Sequence, residues 1–189
     1  MLAYGYIKSE PARGPVIVTG AAGGVGTAAI QVSKAVGARV IAVVSTDEKE
    51  RVARAAGADE VVRSDGAWKD EAKELSGGGV DVVIDPVGGD RFTDSLRSLG
   101  EGGRAVVVGF TGGSIPEVRV NRLLLNNVDV VGAGWGAYVL GKPDVNREIG
   151  AALFISPVTV KVHVRHIFDK LGVSNRAGAT AWAFQHNLI

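Results

Sequence analysis

Between residues 16 and 131, short uninterrupted Val and Ile runs alternate with stretches whose apolar residues recur at helical spacing. That rhythm restricts the fold more than any other feature of the chain. The strand-like runs are Val16-Ile17-Val18-Thr19, 39–44, 60–62, 80–84, 105–108 and 128–131. The helical stretches between them are 25–36, 47–56, 67–75, 90–99 and 120–125. A strand with one wet face alternates polar and apolar residues, whereas these runs are mostly continuous Val and Ile. They predict strands buried on both faces, as in a parallel sheet covered by helices. Strand–helix alternation on this repeat predicts an α/β fold with a doubly wound parallel sheet of about six strands. Right-handed crossovers put the strand C-termini along one edge, where ligands bind.

The first strand-to-helix junction carries the chemistry. Gly20-Ala21-Ala22-Gly23-Gly24-Val25-Gly26 lies between Val16–Thr19 and the first helix. A pyrophosphate needs backbone N–H groups and a helix N-terminus close by, with no Cβ in the way. Gly23 permits that approach, and Gly26 lets the helix pack tightly on the strand. A bare glycine motif could be only a tight turn, but this one has the strand before it and the helix after it that a dinucleotide site requires. The expected cofactor-binding residues here are Gly20, Ala22, Gly23, Gly24, Val25 and Gly26. At the end of the second strand an acid would grip the ribose 2′-hydroxyl of NAD. The equivalent position, 18 residues after Gly26, is Val44, followed by Ser45, Thr46 and Lys49. Two hydroxyls and a cation suit a 2′-phosphate and favour NADP(H). Asp47 and Glu48 oppose this, although acids also favour the first turn of a helix. Thr46 reads equally well as an ordinary N-cap, and one residue can serve both ends.

Val18 to Gly26, Asp85-Pro86-Val87-Gly88-Gly89, Val108-Gly109-Phe110, and Asn121 with Gly134-Trp135-Gly136 occur in order over about 120 residues. Together they resemble the cofactor half of the quinone oxidoreductase branch of the medium-chain dehydrogenase/reductases. The resemblance implies a Rossmann-type NADP(H)-binding domain over residues 14–141. It also implies that Asp85, Val87, Gly109 and Phe110 lie along the strand ends beside the nicotinamide. Pro86 to Gly89 read alone could be a strand-ending turn, and Phe110 a core residue. Members of that family carry a barrel-like catalytic domain before this unit. Here 14 or so residues precede the first strand, so the family's substrate pocket and any zinc ligands are expected to be missing, and with them an acceptor site for hydride transfer. No Ser/His/Asp or paired-carboxylate arrangement offers another chemistry, and no catalytic residue is assigned.

The last quarter of the chain has a different character. Residues 142–189 hold 6 Lys and Arg against 3 Asp and Glu, and all three His. A short amphipathic helix is expected over 146–154, a second over 158–171, and a third over 177–186. Ser156 suits an N-cap, Pro157 the first helical position, and Gly172 the stop. Val160, Val164, Ile167 and Leu171 are expected on one side of the second helix, with Lys161 and Arg165 on another. Two short helices joined tightly, the second with a basic face, describe a helix-turn-helix. Residues 156–173, with Arg176-Ala177, Ala181 and 186–189, resemble the recognition and closing helices of LuxR-type regulators. The resemblance implies DNA as a partner of residues 156–171, with Lys161, Val162 and Arg165 at base edges and Thr159 and His163 nearer phosphates. The family's additional first helix is not found in the sequence. Residues 142–189 therefore read as a partial LuxR-type segment whose seam with the first unit falls within 146–153.

On these residues the first expectation is a regulator that binds NADP(H) through its body and DNA through its tail. The alternative is a zinc-independent, NADPH-dependent quinone oxidoreductase-like enzyme, or a fragment of one lacking its substrate domain. A spliced remnant without selected function is the third. Homodimerisation is expected for the first two, since LuxR-type tails pair and a sheet edge needs cover. The chain has no Cys, which excludes disulfides and thiolate metal sites, and no metal is expected. No apolar run reaches the roughly 18 residues of a membrane span. The first ten residues lack a signal-peptide pattern. The expected location is the cytoplasm.

Overall fold

The computed structural model describes residues 14–134, 147, 148, 150, 151, 154, 156–173 and 182, with Pro157 and Lys161 described in their backbone alone. The Trp135-Gly136 pair, all of the expected helix over 177–186 except residue 182, and residues 146, 149, 152 and 153 of that over 146–154 lie outside the described residues. The chain divides into two compact units that part between Ala133 and Gly134.

In the first unit the elements run β1 (Val16–Val18), α1 (Gly24–Ala35), β2 (Val40–Val44), α2 (Asp47–Ala55), β3 (Glu60–Arg63), α3 (Trp68–Ser76) and β4 (Val80–Asp85). A 3₁₀ turn (Gly89–Arg91) leads into α4 (Phe92–Arg97), then β5 (Leu99–Val107), α5 (Asn121–Asn126) and β6 (Asp129–Gly132). All strand pairs are parallel, in the order β3-β2-β1-β4-β5-β6. This is the Rossmann order, and the expected doubly wound sheet of six strands is what forms.

The continuous apolar runs are explained by two cores. Side chains alternate across a strand. Val40, Ala42 and Val44 of β2 therefore join Val16, Val18 and Ile84 under Ala29 and Ile30 of α1 and Ala53 of α2. Ile41 and Val43 point the other way, with Ile17 and Val83, onto Trp68 and Ala72 of α3 and Phe92 and Leu96 of α4. β1 sits between β2 and β4 and is buried along its whole length.

The last strand is not buried on both faces as expected: β6 lies at the edge of the sheet and is largely exposed. A second region departs further from the expectation. The helix expected over 90–99 is shorter, ending at Arg97, and β5 begins at Leu99 instead of Ala105. Leu99 is buried and pairs with Val80, so it belongs to the sheet. The step from Val80 to Val82 on β4 then faces the longer step from Leu99 to Arg104, and the extra residues bulge outward. Gly103 makes the bulge possible, since a Cβ there would stand 2.9 Å from the Val80 carbonyl oxygen. Periodicity alone could not detect a strand start made of Leu-Gly-Glu-Gly-Gly.

A surface cluster ties α1 to β2 and β3. Lys34 Nζ donates to both carboxylate oxygens of Asp59 (2.7 and 2.8 Å), and the Val40 N–H donates to Asp59 Oδ2 (2.7 Å). Arg39 pairs with Glu60 at 2.6 Å. Partial burial raises the Asp59 pKa. The Lys34 and Val40 hydrogen bonds, with the Lys34 and Arg39 charges, outweigh it and hold the carboxyl below its ordinary value. A lowered carboxyl pKa contributes stability above the unfolded pKa that is lost as pH falls through the folded one. Urea unfolding should therefore show a loss between neutral pH and acid pH that is smaller in Asp59→Asn. An unchanged acid response in that variant would remove Asp59 from the account.

In the second unit the best described element is α6 (Pro157–Leu171). Its ends form as the sequence predicts. The Ser156 hydroxyl accepts from the Thr159 N–H (3.0 Å), Pro157 opens the first turn, and Gly172 closes the helix at φ +66°. The apolar stripe is rotated from the expected one. Val160 is buried and Val164, Phe168 and Leu171 are half-buried, whereas Ile167 is 53% exposed. The buried arc centres on Val164 and runs toward the Phe168 ring, which leaves Ile167 at its margin.

Candidate functional site

A cleft of about 690 Å³ runs along the C-terminal ends of β1, β2 and β4. Its floor is the Gly20–Gly23 turn. Gly20 has φ +55°, a left-handed conformation that favours glycine, and a Cβ there would stand 2.9 Å from Val87 Cγ2. The Gly23 N–H closes the turn on the Gly20 carbonyl (3.0 Å). Gly23 is the N-cap of α1 and offers no side chain to the helix, so no side-chain cap fills the N-terminus. The N–H groups of Gly24, Val25 and Gly26 begin that helix, and a helix leaves its first N–H groups without intrahelical partners. A helix start of this kind can take an anion.

Gly26 has a different task. It is buried, and a Cβ at this position would overlap the Gly20 carbonyl oxygen and come within 2.7 Å of Ala21 Cα. Its lack of a side chain brings α1 onto the turn. Gly24, Val25 and Gly26 are not among the residues that line the cleft, whereas Gly20, Ala22 and Gly23 are.

At the end of β2, Ser45, Thr46 and Lys49 line the cleft together. The Thr46 hydroxyl accepts from the Lys49 N–H (3.3 Å) and caps α2. Lys49 Nζ donates to Ser45 Oγ (2.9 Å), which holds the ammonium over the strand end. The nearby acids divide. Arg63 of β3 pairs with Asp47 and Glu50, and Arg54 pairs with Glu50 (2.8 Å). Asp47 and Glu50 are absent from the cleft lining, and Glu48 is present in it.

Asp85 and Val87 bring β4 to the same cleft. Asp85 is 1% exposed, and both carboxylate oxygens are taken up by the protein. Gly109 and Phe110 stand off the cleft, and Thr111 lines it in their place. Phe110 instead packs over Gly88: a Cβ on Gly88 would approach its ring to 2.8 Å. Sequence reasoning also missed Thr19, Ser64, Trp68, Arg91 and Ser95 as lining residues. Thr19 stands within the Val18–Gly26 motif, whereas Ser64 and Ser95 carried no periodic or motif signal. Arg91 had one, a cation two residues beyond the Gly88-Gly89 pair. It makes no hydrogen bond or ion pair among the described residues.

In the second unit Val162, His163 and Arg165 are exposed and Thr159 is half-buried. The Thr159 hydroxyl lies 2.9 Å from Ser156 Oγ. The Lys161 side chain lies outside the described residues.

The sequence model of the family described as zinc-binding dehydrogenase matches residues 24–154. The chain belongs to that family. A second model, described as bacterial regulatory proteins of the luxR family, matches residues 141–183 and overlaps the first across 141–154. Quinone oxidoreductase-like protein 2 of Bos taurus is 43% identical over 159 residues, covering 82% of this chain and 46% of the relative. The acryloyl-coenzyme A reductase of Sulfurisphaera tokodaii is 43% identical over 118 residues, covering 62% and 34%. Among solved structures, the quinone oxidoreductase of Thermus thermophilus, described with its NADPH complex, is 35% identical with a TM-score of 0.64. That match covers 79% of this chain and 48% of the other. A probable oxidoreductase of Mycobacterium abscessus is 38% identical with a TM-score of 0.66, covering 80% and 46%. The chain thus spans less than half the length of each of these relatives.

The family's descriptive name implies zinc, and the residues here do not fit it. The chain has no Cys, and among the described residues no group of three or more His, Cys, Asp or Glu is placed to hold a metal. No helix of the described residues is long and apolar enough to cross a membrane.

Proposed function

We propose that residues 14–134 bind NADP(H) and that the chain is the cofactor-binding part of a quinone oxidoreductase-like dehydrogenase. The observation that carries this is the single cleft wall formed by the Gly20–Gly23 turn, the uncapped start of α1, and Ser45, Thr46 and Lys49. Pyrophosphate fits the turn and helix N-terminus. The adenosine 2′-phosphate fits the two hydroxyls and the Lys49 ammonium, with the competing acids Asp47 and Glu50 engaged by Arg63. The described complex of the Thermus thermophilus relative with NADPH supports the same cofactor. When bound, the nicotinamide supplies a hydride. The residues of this chain bind and orient it. Binding is tested by NADPH fluorescence: addition of the chain should raise the nicotinamide emission, and unaltered emission with no calorimetric heat would defeat the site.

The match of 141–183 to the luxR family favours a second role, DNA contact through 156–171. Its supporting geometry is a capped helix carrying exposed Val162, His163 and Arg165. In such a role Arg165 and Lys161 would meet base edges, and Thr159 and His163 the phosphates. Arg165→Ala and Lys161→Ala are each expected to weaken binding of a labelled duplex about tenfold at low salt and to relax its sequence preference. No wild-type binding at low salt removes the regulator reading and leaves the oxidoreductase reading intact.

A further inference from the structure

We propose that Asp85 is a positioning residue for the nicotinamide half of the cofactor, acting through the protein and not by contact with the dinucleotide. This rests on the NADP(H) reading above. Oδ1 of Asp85 accepts three hydrogen bonds, from Thr19 Oγ1 (2.7 Å), the Val87 N–H (2.8 Å) and the Gly88 N–H (2.9 Å). Oδ2 accepts a fourth from Ser95 Oγ (2.9 Å). One buried carboxylate thereby joins the end of β1, the loop after β4, and α4.

The loop is held from its other side as well. The Pro86 carbonyl accepts from the Thr111 N–H (3.2 Å) and hydroxyl (3.1 Å), and the Val87 carbonyl accepts from the Gly112 N–H (2.8 Å). Both backbone groups of Val87 are therefore spent within the protein. What the loop presents to the cleft is the Val87 side chain, which packs against Gly20. In this strand order the adenosine half lies over β1 and β2 and the second mononucleotide over β4. Val87 stands at their junction, and Asp85 fixes where it stands. Gly88 has φ +63°, which glycine adopts freely, and a Cβ there would stand 2.8 Å from the Phe110 ring. A buried acceptor that loses its charge and shape strands four donors at once.

The test uses the whole chain and two ligands, NADPH and adenosine 2′,5′-bisphosphate, which lacks the nicotinamide mononucleotide. Asp85→Ala is expected to lose about tenfold or more in NADPH affinity while the bisphosphate changes by less than about twofold, a ratio that a general structural defect would not move. Asp85→Asn keeps an oxygen for Thr19, Val87 and Gly88. Its amide meets Ser95, whose hydroxyl can turn to accept. It should hold NADPH within about threefold of wild type. Equal loss of both ligands in Asp85→Ala, or no loss, overturns the proposal. So does an Asn variant as weak as the Ala variant, which would mean that the charge itself touches the cofactor. Should Asp85→Ala not fold, Thr19→Val removes one donor with little change of shape, and the same selective loss of NADPH is required of it. A wild-type chain that binds the bisphosphate but not NADPH also overturns the proposal. One that binds neither ligand defeats instead the reading of the site beneath it.

Discussion

Gly26→Val is expected to lower the stability of the first unit by about 3 kcal/mol and to abolish measurable NADPH binding. The atoms in the way are backbone atoms, the Gly20 carbonyl oxygen and Ala21 Cα, which cannot rotate aside as a side chain would. Overpacking a close contact costs about 1–3 kcal/mol, and this contact belongs at the upper end. Replacing Gly by Ala within a helix would recover up to about 1 kcal/mol through propensity, but the β-branched Val recovers less. The melting temperature should fall by about 6 °C or more for a unit of this size. Relief of the overlap requires α1 to withdraw from the turn, which moves the N–H groups of Gly24 and Val25 away from the pyrophosphate. Gly24→Ala is the matched comparison, since a Cβ there meets nothing within 4 Å. Its stability should stay within about 0.5 kcal/mol of wild type. A Gly26→Val chain that melts like wild type would refute the packing account of this glycine.

The second large effect is on cofactor choice. Lys49→Ala is expected to weaken NADPH by about ten- to a hundredfold and NADH by less than about threefold, because a charge-assisted contact to the 2′-phosphate contributes about 1.5–3 kcal/mol. Ser45 shares the effect through its 2.9 Å bond to the ammonium. Glu48, the one first-turn acid that lines the cleft, acts in the opposite sense. Glu48→Gln should tighten NADPH by about threefold, within the range of an exposed charge pair. Raising the ionic strength should shrink both differences. Equal losses of NADPH and NADH on replacing Lys49 would place the 2′-phosphate elsewhere.

The sequence made the sheet legible because its central strands β1 and β2 are buried on both faces, which favours unbroken Val and Ile runs there. β1, β2 and β4 follow from that pattern directly. The pyrophosphate turn was legible for a related reason: glycine is required there by backbone geometry, at Gly20 by its φ and at Gly26 by contact. The distinction between the two kinds of glycine was only half visible. The motif groups Gly24, Val25 and Gly26 with the binding residues, whereas the lining is formed by Gly20, Ala22 and Gly23. Asp85 and Phe110 show where a motif stops being informative. Resemblance to a family identifies their positions, but which way each side chain is committed depends on Thr19, Ser95 and Gly88, none adjacent to both. The start of β5 was illegible because a bulge of glycines has no periodicity. On α6, a helical wheel assigns Ile167 to the same side as Val160, yet Ile167 is 53% exposed and Phe168 is half-buried in its place.

Calorimetric titration of the whole chain with NADPH and with NADH at low salt tests the central claim most directly. The account predicts one site per chain and NADPH bound about tenfold or more tightly than NADH. Heat from neither cofactor, or NADH bound as tightly as NADPH, would contradict it.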